Sequence, residues 1–114
     1  MLNIRRFVQG TDEPIWVDVL NAWRRGREGL RAITVEEMLW QEKEDPNFDP
    51  EGRFIAELDG KPVGAVHANV EKLREERKGF LRFYVVPESR GKGIERQLVD
   101  LGMRELKARG MTMA

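Results

Sequence analysis

The most constraining stretch of this chain is VVPESRGKGIERQL, from Val85 to Leu98, in which two glycines flank a single lysine. A strand-like run precedes the stretch and a helix-like run follows it, so it predicts a strand–loop–helix unit. Glycines let the backbone approach a bound group and adopt dihedral angles that other residues avoid. N–H groups at a helix start, together with the helix dipole, form a site for anions. A plain tight turn is the alternative, because Gly-x-Gly alone is a weak signal.

The rest of the chain predicts an alternation of strands and helices. The capping-box pattern from Thr34 to Glu37 indicates a helix start, and the Asp59–Gly60 pair indicates a hairpin turn. The predicted elements are a strand from Leu2 to Val8, a helix capped by Thr11 or Asp12, a helix from Thr34 to near Asp45, two strands around Asp59–Gly60, a strand from Phe80 to Val86, and a helix from about Gly91 to Arg109. The order β-α-α-β-β-β-α predicts an α/β (α+β) fold with helices packed on a mixed sheet.

The amino-acid composition limits the classes of protein to which this chain can belong. A chain of 114 residues is expected to form a single domain, spanning residues 1–114. Lys and Arg total 20, as do Asp and Glu, so bulk charge gives no sign of nucleic-acid binding. The absence of cysteine excludes disulfides, zinc–thiolate sites and thiol nucleophiles. No apolar run reaches membrane-spanning length, so we expect a soluble cytoplasmic protein without a metal site.

These features together resemble the GNAT (Gcn5-related N-acetyltransferase) superfamily. Its acetyl-CoA motif reads Arg/Gln-x-x-Gly-x-Gly/Ala after a strand that ends in Val-x-Pro. Here Val85-Val86-Pro87 is followed by Arg90-Gly91-Lys92-Gly93-Ile94-Glu95. Arg90 and Gly93 match the motif, whereas Glu95 stands where Gly or Ala is expected. The hairpin FIAELDGKPVGAV and the β-α-α start also agree, so the resemblance covers the whole chain.

The resemblance implies acetyl-CoA as cosubstrate and direct transfer of its acetyl group to a primary amine, without a covalent enzyme intermediate. It implies that the backbone of Phe83, Tyr84 and Val85 pairs with the pantetheine arm. It also implies that backbone N–H groups of one continuous loop hold the pyrophosphate. The residues of that loop are Arg90, Gly91, Lys92, Gly93, Ile94 and Glu95. Such an enzyme positions the thioester and removes a proton from the amine.

Three side chains are candidates for proton transfer. His67, the one histidine in the sequence, falls on the third predicted strand and is either a general base or a hydrogen-bonded strand residue. Glu71, at the end of that strand, is either a relay through water or a solvent-facing carboxylate. Tyr84, the one tyrosine, is either a proton donor or a packing residue of the sheet.

Four arginines lie between the first two predicted helices, a region that borders the acceptor site in the family. Arg24, Arg25, Arg27 and Arg31 are interrupted by Glu28. They either attract an acidic substrate or form an exposed charged loop.

A complete domain of this family continues beyond the motif helix with a fifth strand, a helix and further strands. This sequence ends in GMTMA, so we expect a domain truncated at the start of the fifth strand. The alternative to an active acetyltransferase is a non-catalytic module that binds CoA or a protein partner. Such a truncation leaves the strand Phe80 to Val86 with an exposed edge, and exposed edges recruit other strands. We therefore expect a homo-oligomer joined at this edge.

Overall fold

The computed structural model describes residues 2–25, 31–45, 50–70, 78–109 and 112–113. Within them the predicted order of elements is confirmed, followed by a short fifth strand. The elements are β1 (Leu2–Arg6), α1 (Glu13–Arg24), α2 (Val35–Glu44), β2 (Arg53–Leu58), β3 (Lys61–Val70), β4 (Lys78–Val85), α3 (Ile94–Ala108) and β5 (Thr112–Met113), with 3-10 turns at Pro50–Gly52 and Pro87–Ser89.

The strands form one sheet in the order β1-β2-β3-β4-β5, of which the first four are antiparallel neighbours. The predicted hairpin joins β2 to β3, with φ of 52° at Asp59 and 85° at Gly60. Two consecutive positive φ values are what a two-residue hairpin turn of type I′ requires. β5 runs parallel to β4 and pairs only with its first two residues, Lys78 and Gly79.

The helices cover both faces of the sheet. The indole of Trp16 in α1 meets the rings of His67 and Tyr84, which places α1 on one face. On the opposite face Gly102 of α3 lies so close to Leu81 that an added Cβ would overlap its Cδ1 atom. A glycine at this position therefore lets α3 pack closely on the sheet. Among the described residues, the largest fully buried side chains are Ile55, Val66, Ile94, Leu98 and Leu106.

α1 is fixed to the sheet at its N-terminus by Asp12, one of the two residues predicted to cap it, which occupies the N-cap position without a side-chain capping hydrogen bond. Asp12 is buried and its carboxylate accepts hydrogen bonds from Arg5 and from the backbone N–H of Val8. Arg5 also donates to Glu57 on β2 at 2.8 Å. The hydrogen bond from Arg5 holds the pKa of Asp12 below its usual range.

α2 begins as the sequence predicts, because the Thr34 hydroxyl accepts the N–H of Glu37 at 3.1 Å. Asn21 ties the end of α1 to this start. Its Nδ2 donates to the Ile33 carbonyl at 2.8 Å, and its Oδ1 accepts the Ile33 N–H at 2.9 Å. The two-bond contact between Asn21 and Ile33 therefore sets the spacing of the two helices.

Some predicted boundaries differ from those observed. α3 begins at Ile94 instead of near Gly91, because Gly91 and Gly93 have φ of 81° and 80°, outside helical geometry. Glu105 interrupts the apolar face of α3 and makes a weak ion pair with Arg6 at 3.4 Å. Residues 71–77, between β3 and β4, and Gly110, after α3, lie outside the described residues. Of the helices described, none has the length and apolar character needed to cross a membrane.

Candidate functional site

The loop between β4 and α3 has the geometry of an anion site. After the 3-10 turn Pro87–Ser89, the backbone reverses twice through Gly91 and Gly93, both in the left-handed region. The first hydrogen bond within α3 runs from the Gln97 N–H to the Gly93 carbonyl, at 3.3 Å. The backbone N–H groups of residues 94–96 therefore precede the helical ladder, and Gly93 has no side chain with which to cap them.

Charge around the loop is mixed. Arg90 and Lys92 are exposed, whereas the Glu95 side chain is half-buried in the first turn of α3. Basic side chains and helix N–H groups both favour a bound anion. A carboxylate in the first turn interacts favourably with the helix dipole but repels a second anion at the same place. Glu95 therefore opposes a bound anion from the first turn of α3, and Glu88 is a second carboxylate, exposed in the preceding 3-10 turn.

The edge of β4 next to the loop is open. The Val86 N–H donates to the Val63 carbonyl at 2.9 Å, which makes these two residues a hydrogen-bonded pair. Hydrogen-bonded pairs alternate along an antiparallel ladder, so the backbone groups of Tyr84 point to β3 and those of Phe83 and Val85 point away from it. β5 opposes only Lys78 and Gly79. Within the described residues, no strand pairs with the rest of this edge.

A groove of about 510 Å³ follows this open edge. Phe83 is 40% exposed beside it, an unusual exposure for a large apolar side chain on a strand. The residues that line the groove are Trp23, Leu81, Arg82, Phe83 and Tyr84. An extended molecule with amide groups and an apolar stem would find both backbone partners and apolar contacts here.

A second cavity, of about 180 Å³, lies between α1, α2 and the sheet. α1 contributes Trp16, Leu20 and Arg24 to it, one residue per helical turn. The strands contribute polar side chains that alternate toward this face, among them His67, Asn69, Arg82 and Tyr84. Tyr84 and Arg82 line both the cavity and the groove, so the two spaces adjoin at β4. We call this space the inter-helix cavity.

Two of the three proton-transfer candidates lie in the inter-helix cavity. The buried His67 ring meets Trp16 edge-on, with the ring centroids 6.2 Å apart. Tyr84 packs edge-on against Trp16 at 6.4 Å and against Trp23 at 5.0 Å. Glu71 lies outside the described residues. Trp16 therefore holds His67 and Tyr84 around one side of the cavity.

The ion pair between Arg53 and Glu42 was not predicted from the sequence. The Arg53 guanidinium lies over the rings of both Phe7 and Trp16, at 5.3 and 4.7 Å from their centroids, and donates to Glu42 Oε1 at 2.7 Å. Burial lowers the pKa of Arg53, although the charge of Glu42 opposes this effect. The pair separates the inter-helix cavity from a neighbouring cavity of about 270 Å³.

The predicted arginine cluster divides in the structure. Arg31 is paired with Glu37 at 2.6 Å, which raises the pKa of Arg31 and lowers that of Glu37. Arg24 lines the inter-helix cavity, whereas Arg25 is exposed and Arg27 lies outside the described residues. Of the described arginines of this cluster, Arg24 is therefore the one that lines the cavity.

Comparison with known proteins places this chain among acetyltransferases. The family model described as acetyltransferase (GNAT) family matches residues 16–114. A mycothiol acetyltransferase of Streptomyces coelicolor is 33% identical over 116 residues, covering 99% of this chain and 36% of the relative. One of Thermobispora bispora is 34% identical over 114 residues, covering 96% of this chain and 38% of the relative. The chain thus spans little more than a third of the length of these relatives.

Solved structures share the fold. A ribosomal-protein-alanine N-acetyltransferase from Brucella melitensis aligns with a TM-score of 0.70 and 23% identity, covering 94% of this chain and 68% of that one. A GNAT family acetyltransferase from the same organism, solved in complex with acetyl-CoA, aligns with a TM-score of 0.74 and 20% identity, covering 97% and 71%. At these identities the likeness concerns the fold.

Proposed function

The chain belongs to the acetyltransferase (GNAT) family, and from that membership we propose that it binds acetyl-CoA and transfers the acetyl group to a primary amine. The observation that carries this proposal is the continuity of the glycine loop with the open edge of β4. A helix N-terminus for phosphates and an unpaired strand edge for an amide-containing arm adjoin in one path. A relative of the same fold has been solved with acetyl-CoA, which agrees with this assignment.

The chain's own backbone fits the cosubstrate. The pyrophosphate would be held by N–H groups of Gly91, Lys92, Gly93, Ile94 and Glu95, whereas the Arg90 N–H already donates to the Pro87 carbonyl at 3.4 Å. The side chains of Arg90 and Lys92 add positive charge at the same place. The pantetheine amides would pair with Phe83 and Val85, whose backbone groups point to the open edge, while Tyr84 between them directs its ring into the inter-helix cavity. When bound, acetyl-CoA supplies an acetyl group already activated as a thioester.

The inter-helix cavity would hold the acceptor amine. His67 accepts the proton that the amine loses, and Tyr84 donates a proton to the departing thiolate. Both side chains line the cavity, and Tyr84 also lines the groove where the thioester arm would lie. Their contacts with Trp16 fix the two rings relative to one another. Glu71 stays a third candidate for proton transfer.

The alternative is a module that binds CoA without transferring its acyl group. Glu95 favours this alternative, since it brings negative charge to the loop where the family motif has Gly or Ala. The two functions differ in one measurement, the release of CoA thiol in the presence of acetyl-CoA and primary amines. Binding of CoA without amine-dependent release would support the module.

Thermal unfolding with parts of the cosubstrate tests the assignment of the loop. A ligand that binds only the native state raises Tm. CoA and dephospho-CoA should give similar rises, whereas pantetheine, which lacks the pyrophosphate, should give little. Lys92→Gln should lower the affinity for CoA severalfold and so reduce the rise in Tm. Lys107→Gln, at an exposed lysine in the last turn of α3, is the matched control. Equal rises with pantetheine and CoA would exclude the loop as the pyrophosphate site.

A further inference from the structure

We propose that the acceptor is an amine that also carries a carboxylate, and that Arg24 and Arg82 bind this carboxylate in the inter-helix cavity. The proposal rests on the function proposed above and narrows its substrate class. It identifies Arg24 and Arg82 as residues that determine specificity.

Arg24 has a buried donor without a partner. Its Nη1 donates to the Arg31 carbonyl at 3.0 Å, but its Nε is buried and has no hydrogen-bond partner among the described residues. Buried N–H donors in folded proteins are almost always bonded, because an unsatisfied donor is destabilising. Arg24 lines the inter-helix cavity from the last turn of α1. Nε is closed to water in the ligand-free protein, so a ligand oxygen in the cavity would satisfy this donor once the guanidinium turns toward it.

Arg82 reaches the same cavity from β4. Its guanidinium lies over the Phe80 ring, 4.9 Å from the centroid. No carboxylate of the described residues forms an ion pair with it, in contrast to Arg5, Arg31 and Arg53. Stacking on a ring leaves the N–H groups at the edge of a guanidinium available for hydrogen bonds.

The acidic side chains of the cavity do not neutralise these two arginines. Glu42 is bonded to Arg53 at 2.7 Å. Among the described residues, no carboxylate forms an ion pair with Arg24 or Arg82, in contrast to Arg53. Since the chain as a whole has no net charge, this excess of positive charge is a local property of the site.

A carboxylate is the anion that fits this arrangement. It is planar and accepts paired hydrogen bonds from guanidinium groups, which are roughly twice as strong as neutral ones. The cavity of 180 Å³ has about the volume of six waters at roughly 30 Å³ each, which suits a small acid. Arg82 adjoins Phe83, where the thioester arm would lie. When Arg82 holds the carboxylate of the acceptor, an amine only a few bonds from that carboxylate would therefore lie near the acetyl group. An α-amino acid has its amine at this distance.

Matched pairs of acceptors test the proposal. A panel of L-amino acids would be compared with the corresponding amides, which differ only in the carboxylate. Each acid and its amide would be compared at equal concentrations of unprotonated amine, because the amine of an amino-acid amide has a lower pKa than that of the amino acid. With acetyl-CoA, kcat/KM for the preferred acid should exceed that for its amide about tenfold or more.

Variants assign the preference to the two arginines. Arg24→Gln and Arg82→Gln should each raise KM for the acid about tenfold and change KM for the amide much less, so that the preference for the acid is lost. Arg24→Gln, which lies outside the groove of the thioester arm, should also keep the Tm rise with CoA. Arg104→Gln, an exposed arginine on α3, is the matched control and should keep the preference. Arg24→Lys, which keeps the charge but loses the Nε donor, provides a second variant if Arg24→Gln fails to fold.

Failure of this proposal and failure of the proposed function give different results. Equal kcat/KM for acids and amides, or a preference that survives both substitutions, would overturn the carboxylate site while leaving acetyl transfer intact. No Tm rise with CoA would instead count against the proposed function. If no amine is acetylated, calorimetry would measure the binding of the same acids and amides directly. Acids that do not bind, or that bind equally well without Arg24 and Arg82, would overturn the proposal.

Discussion

Arg5 of β1 holds both carboxylate oxygens of Asp12, with Nη1 at 2.6 Å from Oδ2 and Nη2 at 3.0 Å from Oδ1. The same carboxylate accepts the Val8 N–H at 2.6 Å. Asp12 is therefore the point at which the first strand, the following turn and the start of α1 are joined. Since α1 forms one wall of the inter-helix cavity, this contact also positions the cavity.

Asp12→Asn should destabilise the protein by about 1.5–3 kcal/mol at pH 7, the usual range for hydrogen bonds to charged groups. The folded pKa of Asp12 is lowered, so the stabilisation is complete above the unfolded pKa of about 3.9. It is lost as pH falls below that value through the folded pKa, because the wild-type carboxyl then protonates as well. Urea unfolding at pH 7 and at successively lower pH should show the two proteins converging. Asp18→Asn, an exposed position on the same helix, is the control; a difference independent of pH would contradict the assignment.

Glu95→Ala should tighten CoA binding severalfold, because it removes a negative charge from the first turn of α3. Charges several ångströms apart near a protein surface repel by roughly 2–3 kcal/mol before screening by salt. The ligand-free protein should lose about 0.3–1 kcal/mol of stability, which is the usual free energy of interaction between a first-turn carboxylate and the helix dipole. Calorimetric titration and urea unfolding would measure the two effects.

Glu36→Ala is the matched control for Glu95→Ala, since Glu36 lies in the first turn of α2 and is exposed. It should lower stability similarly without changing CoA affinity. Unchanged or weaker CoA binding by Glu95→Ala would show that the side chain points away from the phosphates. The departure from the family motif would then carry no information on activity.

Arg53→Met should destabilise the protein by about 3–5 kcal/mol, because it leaves the Glu42 carboxylate buried without its cation. Glu42 Oε2 already lacks a hydrogen-bond partner among the described residues. Replacing both residues, as Arg53→Met with Glu42→Leu, should recover much of the loss, since no uncompensated charge remains. Guanidinium unfolding of the two single variants and the double variant gives the coupling energy. Additive effects would mean that the pair is not coupled.

The ligand-free protein should self-associate through the unpaired edge of β4, from Phe80 to Val85. Exposed strand edges with apolar neighbours recruit further strands, and Phe83 beside this edge is 40% exposed. CoA should shift the equilibrium toward the monomer, since its pantetheine arm would occupy the same edge. Light scattering across the micromolar range, with and without CoA, measures this. A monomer at all concentrations without ligand would contradict the prediction.

The features that were predictable from the sequence are those determined by neighbouring residues. The capping box at Thr34, the Asp59–Gly60 turn and the glycine loop each depend on a few consecutive positions, and each is observed. The three-residue error at the start of α3 has a local cause as well. Gly91 and Gly93 both adopt positive φ, which no hydrophobic pattern reveals.

The cavities were not predictable because their walls come from distant parts of the chain. Glu42 and Arg53 belong to separate elements, and nothing in their local sequence indicates that packing would bury them together. Arg82 was overlooked because a lone arginine on a strand is ordinarily solvated. Its significance depends on Arg24, which reaches the same cavity from a helix.

The two-bond contact between Asn21 and Ile33 has a consequence for how such a protein can vary. These hydrogen bonds join the end of α1 to the residue just before α2. The spacing of the two helices beside the cavity is therefore set by this contact and not by the length of the segment that connects them. Changing the length of a connection whose ends are already held is inexpensive, at about 0.6 kcal/mol for each doubling. A reporter sequence inserted between Arg25 and Arg31 should therefore leave the inter-helix cavity in register.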